Sequence, residues 1–344
     1  MKSNSRLLLA GDIGATKTTL ALFDATVVPH HPFNQHTFQN ALYPTFDDLL
    51  HEFLQQTPRN PTDVCFGVAG PVTAKAVKMT NLDWAIDADT LKAHYGFSQV
   101  FLINDLVATA IGAVHLPATD LYPLNPGVTT AGAVIAVLAP GSGLGEAFLV
   151  EHDGVYQPYA SEGGHASFAP RNAEQIDLLA FMLKRHAHVS VERVCSGLAI
   201  PELFAFMTTR QATPDRLQTE LASTTDPTPV IIQAALRALQ GECPCDLAVH
   251  TLMLFADILA DEAANLTLKT LALGGLFLGG GLAPRLLPFL TPDRFMPIFA
   301  RGAYQKLLSQ IPIQIILNPH TALLGAAAYG SVAFRRNMES IRED

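Results

Sequence analysis

One arrangement near the start of the chain constrains its fold more than any other. An apolar run at residues 7–10 stops at Gly11-Asp12-Ile13-Gly14-Ala15-Thr16-Lys17, and the chain resumes with Thr18, Leu20 and Leu22 alternating with Thr19, Ala21 and Phe23 toward Asp24. Alternation with period two marks a strand, and glycines in a short turn let the backbone reverse, so the spacing predicts strand, Gly-rich hairpin, strand. The order returns about 130 residues later: an apolar run at 133–138, then Gly141-Ser142-Gly143-Leu144-Gly145, then 147–150 before Asp153-Gly154. Two such units are what a duplicated α/β fold shows, each placing a Gly hairpin at the end of a sheet. Runs at 64–68 and 100–103 read as further strands, ending at Ala69-Gly70-Pro71-Val72 and at Asn104-Asp105. Residues 246–269 predict a long helix, and 276–278 a strand closed by Gly279-Gly280-Gly281. The polar, proline-punctuated stretch 201–229 reads as helix plus a mobile surface insertion, and 335–344 as a charged tail at a helix end.

Composition excludes several classes. The 344 residues carry 22 basic and 31 acidic side chains, a net charge of −9, with 49% hydrophobic and 15% charged, which fits a chain that buries a core. No stretch gathers lysine and arginine into a stripe, so a nucleic-acid partner is not expected. The four cysteines, Cys65, Cys195, Cys243 and Cys245, make no disulfide framework, and Cys243-Pro-Cys245 with only His250 nearby falls short of a zinc site. The apolar run after Arg6 is too short for a signal peptide, and the uncharged stretch 121–145 is broken by Pro123, Pro126 and Pro140, so no membrane span is expected. These features predict a soluble, cytoplasmic protein.

Three groups of residues have the chemistry of a site. The first turn lacks the second glycine that a P-loop places before Lys-Thr, and it leads into a strand rather than a helix. What remains is a turn whose amides can approach an anion, with hydroxyls beside them and Asp12 able to hold Mg²⁺ through water; an ordinary β-hairpin explains the glycines equally well. The turn at Gly141, Ser142 and Gly143 carries the same two readings. Asp105 ends an apolar strand at the edge where open α/β sheets bind ligands, and a carboxylate there can take a proton from a hydroxyl nucleophile; as an alternative it caps the following helix. Glu162-Gly163-Gly164-His165 offers an acceptor and a donor held close by two glycines, or a simple loop turn. Glu192-Arg193 has a surface ion pair as its alternative.

Taken in order, these segments resemble the bacterial glucokinase family, hexokinase-like sugar kinases of the actin-type ATPase fold. Gly11-Asp12-Ile13-Gly14-Ala15-Thr16 resembles the first phosphate loop, Thr80-Asn81-Leu82-Asp83-Trp84 the segment before the sugar site, and Leu102-Ile103-Asn104-Asp105 the catalytic strand. Gly141-Ser142-Gly143-Leu144-Gly145 is similar to the second phosphate loop, and Glu162-Gly163-Gly164-His165 with Phe168-Ala169-Pro170 to a sugar-binding loop. Glu192-Arg193-Val194-Cys195-Ser196-Gly197 and Gly280-Gly281 before Pro284-Arg285 complete the series.

The resemblance implies a duplicated ribonuclease-H-like (actin/hexokinase ATPase) fold of two lobes with a cleft between them that closes over the sugar. Its small lobe would take residues 1–115 plus 321–344 and its large lobe 116–320. The implied reaction is ATP-dependent phosphorylation of D-glucose at the 6-hydroxyl, with Asp105 as general base. Asn81, Asn104, Glu162, His165 and Glu192 would hold the sugar with Asp105. ATP would lie on Gly11, Asp12, Ile13, Gly14, Ala15, Thr16 and Lys17, on Gly141, Ser142 and Gly143, and on Gly280 and Gly281, with Mg²⁺ beside Asp12. A cytoplasmic homodimer is also implied. Ala15, where a second glycine is frequent, and Lys17, where asparagine is common, lean toward a related group of sugar kinases and repressors, but that group's cysteine-rich zinc motif is missing. Asp83 and Ser142 also depart from the usual residues. The alternatives are a kinase of the same fold acting on another hexose or an N-acetylhexosamine, one using polyphosphate, or a sugar-binding regulator without turnover.

Overall fold

The computed structural model describes residues 6–26, 31–73, 75–79 and 82–331. Its strands are β1 (Leu7–Ile13), β2 (Lys17–Asp24), β3 (Phe33–Gln39), β4 (Asp63–Val68), β5 (Ala76–Lys78), β6 (Ala85–Asp87), β7 (Gln99–Asn104), β8 (Leu121–Asn125), β9 (Ile135–Pro140), β10 (Leu144–His152), β11 (Val155–Ser161), β12 (Gly275–Leu278) and β13 (Ile313–Ile316). The helices used below are α1 (Phe46–Gln55), α2 (Ala88–Tyr95), α3 (Asp105–Ala113), α4 (Ala173–Met182), α5 (Ile200–Thr208), α6 (Asp215–Ala222), α7 (Pro227–Leu239), α8 (Asp246–Thr270), α9 (Pro292–Phe299), α10 (Gln305–Leu308) and α11 (Thr321–Gly330).

Five strands form one sheet in the order β3-β2-β1-β4-β7, and six form a second in the order β11-β10-β9-β12-β13-β8. In the first, β1 runs antiparallel to β2 and parallel to β4, which is parallel to β7. In the second, β12 lies parallel to both β9 and β13. Each sheet therefore repeats one plan, a lead strand flanked by hairpin strands on one side and crossover strands on the other, with β8 added at the far edge of the second; the hairpins are those the two Gly turns predict. By its contacts the chain divides into two compact units. One takes the described residues up to Leu121, Ala147–Ala160 and those from Asn318 onward; the other takes Tyr122–Glu146 and Ser161–Leu317.

In the first unit, alternation along β1 and β2 sends side chains to two cores. Leu9, Ile13, Leu20 and Leu22 pack with Phe46, Leu49, Leu50 and Phe53 of α1, whereas Leu8, Ala10, Ala21 and Phe23 pack with Ala108 and Ile111 of α3 and Leu323, Ala326 and Ala327 of α11. A sheet covered on both faces explains why β1 reads as an almost unbroken apolar run. Helix α11 crosses α3 at glycines: a Cβ at Gly112 would fall on the carbonyl of Thr321, and one at Gly325 on the carbonyl of Ala108. This close crossing seats α3, and with it Asp105, against the sheet.

In the second unit α8 is the central helix, buried along most of its length and packed against α5, α7 and α9. The stretch 201–229 holds the expected helix, α5, but its remainder is not a mobile insertion. It folds into α6 and the start of α7, with Leu217 in the core. Its prolines start helices instead of breaking them: Pro227 sits in the first turn of α7, whose cap is the Asp226 carboxylate accepting from the Thr228 amide at 3.1 Å. The expected charged tail at 335–344 lies outside the described residues. Among the described residues no helix is long and apolar enough to cross a membrane.

An alanine inside a helix is normally worth about 1 kcal/mol over glycine. At Gly325 the sign reverses, because the new methyl meets a backbone carbonyl that cannot rotate away. Gly325→Ala is expected to destabilise the protein by about 1–3 kcal/mol, the cost of overpacking, read by chemical denaturation. Equal or greater stability would show that the helix crossing is looser than described.

Candidate active site

Parallel pairing of β1, β4 and β7 brings three strand ends to one edge. Asp12 pairs with Gly67 across β1 and β4, and Val68 pairs with Asn104 across β4 and β7. Gly67 has no side chain to intrude; a Cβ there would lie 2.9 Å from the Cβ of Ala108 and 3.7 Å from the Cα of Asp105. The capping role considered for Asp105 belongs to Asn104. The Asn104 side-chain oxygen accepts from the amides of Leu106 at 3.0 Å and Val107 at 3.3 Å, while its amide nitrogen donates to the Gly70 carbonyl at 3.3 Å. Asp105 is then the first residue of α3, partly exposed, with one oxygen accepting from the Leu106 amide at 2.9 Å.

The first turn is held by a residue that sequence reasoning missed. Asn40, just after β3, is 1% exposed; its side chain donates to the Gly14 carbonyl at 2.9 Å and accepts from the Thr18 hydroxyl at 2.8 Å, and its amide donates to the Thr16 carbonyl at 3.0 Å. Nothing in the letters around Asn40 marks it; only the need of a tight turn's carbonyls for a donor could have prompted a search. Within the turn the Gly14 amide donates to the Lys17 carbonyl at 3.0 Å. Neither Gly14 nor Ala15 has a positive φ, so alanine fits where a second glycine is frequent. Ala15 is partly exposed, and Thr16 and Lys17 are exposed.

In the second unit, three segments far apart in sequence converge on the other turn. The Gly141 amide donates to the Gly143 carbonyl at 2.8 Å, and the Gly197 amide to the Gly141 carbonyl at 2.7 Å. Gly280, at φ +72°, lies so close to the Pro140 carbonyl that a Cβ would overlap it, and the Leu282 amide donates to that carbonyl at 3.1 Å. Gly281 faces open space. The stretch 201–229 contributes here too: the Thr228 hydroxyl donates to the Gly197 carbonyl at 3.0 Å.

Glu192 is not the partner of Arg193 in a surface pair. Its Oε2 accepts from the Leu144 amide at 2.8 Å, its carboxylate fills the space a Cβ at Gly143 would need, and its own amide donates to the Gly164 carbonyl at 2.9 Å. Its Oε1 lies 3.8 Å from His165 Nδ1, and His165 Nε2 lies 3.8 Å from Glu162 Oε2. Glu162, His165 and Glu192 therefore form one cluster, with Glu162 and His165 largely exposed. Asn81 lies outside the described residues. Trp84, which follows it, is buried and donates to the Pro44 carbonyl at 3.1 Å.

Burial, and after it the negative charge of Asp105, push the Asp12 carboxyl up to about 7. Two carboxylates close enough to raise one another's charge cost are a site that a cation would relieve. Among the described residues no three His, Cys, Asp or Glu side chains gather as metal ligands. A Mg²⁺ ion takes most of its oxygens from water and phosphate, so a single carboxylate such as Asp12 could hold it. A carboxyl raised from its ordinary 3.8 favours the fold while protonated and costs stability as pH climbs from about 4 through 7. Asp12→Asn is thus expected to stabilise the ligand-free protein at pH 8 by about 2–4 kcal/mol and to have little effect near pH 4, in paired denaturation curves. A destabilised variant at pH 8 would refute the charge conflict.

The glucokinase family model matches residues 9–332. A glucokinase of Nostoc punctiforme is 38% identical over 339 residues, covering 93% of this chain and 98% of that protein. A glucokinase of Trichormus variabilis is 37% identical over the same length and coverage. The crystal structure of a glucokinase from an Antarctic psychrotroph superposes with a TM-score of 0.80 at 32% identity, over 94% of this chain and 98% of the other. The same two-turn, two-sheet plan, a match spanning nearly the whole chain and relatives above one-third identity lead to one conclusion: the chain belongs to the glucokinase family.

Proposed function

We propose that this protein transfers the γ-phosphoryl group of ATP to the 6-hydroxyl of D-glucose, with Asp105 as the general base. Family membership supports the reaction, and the observation that carries the residue assignment is the position of Asp105 at the end of β7. Asn104 is the N-cap of α3, and the Asp105 carboxylate, which also accepts from the Leu106 amide at 2.9 Å, stands beside it at the sheet edge within electrostatic reach of Asp12. In the proposed step, Asp105 accepts the proton of the 6-hydroxyl as that oxygen bonds to the γ-phosphorus and the bond to the bridging oxygen breaks, releasing ADP. Phosphoryl transfer asks a protein mainly for positioning and charge stabilisation.

The remaining hydroxyls fall to residues able to accept and donate. Asn104 has a second side-chain N–H beyond the one given to Gly70, while Glu162, His165 and Glu192 form the cluster described above. A site of such groups rejects an analogue lacking a hydroxyl, because its own polar atoms would be left unpaired. The turns around Ala15-Thr16 and Ser142-Gly143 suit the phosphates, and Gly281, open on its Cα side, suits close approach of the adenosine. Mg²⁺ on Asp12 would supply charge neutralisation at the phosphates when bound. The same family resemblance supports a role for Asn81 at the sugar, a homodimer and a place in the cytoplasm.

The test is ADP release with Mg-ATP against glucose, mannose, fructose, N-acetylglucosamine and no sugar. Glucose is expected to drive turnover, and Asp105→Ala to lower kcat by roughly 10²–10⁴ with the fold intact, the range for a lost general base. Unchanged turnover in the variant would overturn the assignment of Asp105. Saturable glucose binding without turnover in the native protein would favour a regulator.

A further inference from the structure

Beneath the Glu162–His165 turn lies a pair of acidic side chains with no part in the reaction described above. Glu146 on β10, 2% exposed, directly follows the second Gly turn, and Glu262 on α8 is 3% exposed. The Glu146 carboxyl fills the space that a Cβ at Gly163 would need, so it supports the turn from below. The Gly163 amide donates to the Ser161 hydroxyl at 3.0 Å, and the turn closes through the His165 amide on the Glu162 carbonyl at 2.9 Å. Glu146 Oε1 is buried and finds no hydrogen-bond partner.

Glu262 is better provided. Its Oε2 accepts from the Asn265 side chain at 3.0 Å, Lys269 Nζ stands 3.4 Å from its Oε1, and Asn265 in turn accepts from Arg301 at 2.8 Å. One lysine thus faces two carboxyl groups. The third titratable neighbour, the Cys195 thiol, is fully buried and pushed up by burial and by both glutamates, so it stays neutral. Burial and then Glu262 push Glu146 up to about 7, against the opposing pull of Lys269. A proton on Glu146, donated toward Glu262, gives the pair the hydrogen bond that two anions cannot make.

We propose that Glu146 is a positioning residue for the sugar: protonated, it holds the Gly163-Gly164 turn in the shape that presents Glu162 and His165, and on ionisation it repels Glu262, loosens the turn and weakens sugar binding. This rests on the reading of Glu162, His165 and Glu192 as sugar ligands. The route is short, since the Gly164 carbonyl accepts from the Glu192 amide and a Cβ at Gly164 would strike the carbonyl of Leu144. A shift of the turn therefore reaches every member of the cluster.

The test measures kcat and KM for glucose from pH 6 to 9 at saturating Mg-ATP in the native protein, Glu146→Gln and Glu146→Ala. Hydrogen exchange of the amides at 161–167 is followed in the sugar-free proteins over the same range. In the native protein KM is expected to rise about five- to tenfold across the range as the competent fraction falls, with kcat changing much less. Glu146→Gln, which keeps the shape and cannot ionise, should hold the low-pH KM throughout, and its amides should stay protected where native protection falls. Glu146→Ala should show a raised KM at every pH with a flat profile. A Glu146→Gln profile that tracks the native one, in KM or in protection, would overturn the proposal. Native protection that falls with pH as described, with no glucose binding at any pH, would instead overturn the sugar reading on which it rests.

Discussion

The parallel pairing of β1, β4 and β7 is the constraint on which the first unit's chemistry depends. Parallel strands begin at one edge and end at the other, so whatever polar residues follow the apolar runs are gathered together. Asp12, Gly70, Asn104 and Asp105 meet for that reason, although they are spread over more than ninety residues of sequence. Gly67 keeps the middle strand clear, and the glycine crossing of α3 and α11 lets the helix carrying Asp105 settle closely on the sheet. The site's electrostatic conflict, Asp12 raised by burial and by Asp105, follows from the same gathering.

The second unit solves a similar problem with a carboxylate. Glu192 spends one oxygen on the Leu144 amide, behind the Gly141–Gly143 turn, and leaves the other toward His165. A charged acceptor on a backbone amide is a strong hydrogen bond, so a turn made flexible by glycine is fixed without losing the amides that can face a phosphate. Beneath the neighbouring turn, the buried Glu146 carboxyl fills the space beside Gly163. In both units a Gly turn is stiffened from outside, by Asn40 in one and by Glu192 with Gly197 in the other.

Much of this is legible in the letters because it rests on local pattern. The hairpin at 7–23, the repeat at 133–150, the strand ending at Asn104-Asp105 and the long helix at 246–269 all carry periodicity or punctuation that a single chain displays. What escaped depends on contacts between distant residues. Asn40 is an unremarkable asparagine until the turn it supports is folded beside it. Within 201–229 the part after the first helix reads as mobile because proline and threonine are common in loops, yet Asp226-Pro227 is equally the opening of a helix, and only burial of Leu217, and of Ile231 and Ile232 farther along α7, decides between them. Whether Asp105 caps the helix or serves a site could not be decided from residue type; the side-chain geometry makes Asn104 the cap.

The central claim is that the carboxylate at the end of β7 serves a hydroxyl of glucose, the 6-hydroxyl, in attack on ATP. Its most direct test is the identity of the product. Glucose incubated with Mg-ATP and the native protein, followed by phosphorus–proton correlation NMR, should show a phosphate coupled to the C6 protons and no other sugar phosphate. Phosphate on another carbon, or ATP consumed to free phosphate alone while glucose is bound, would contradict the account.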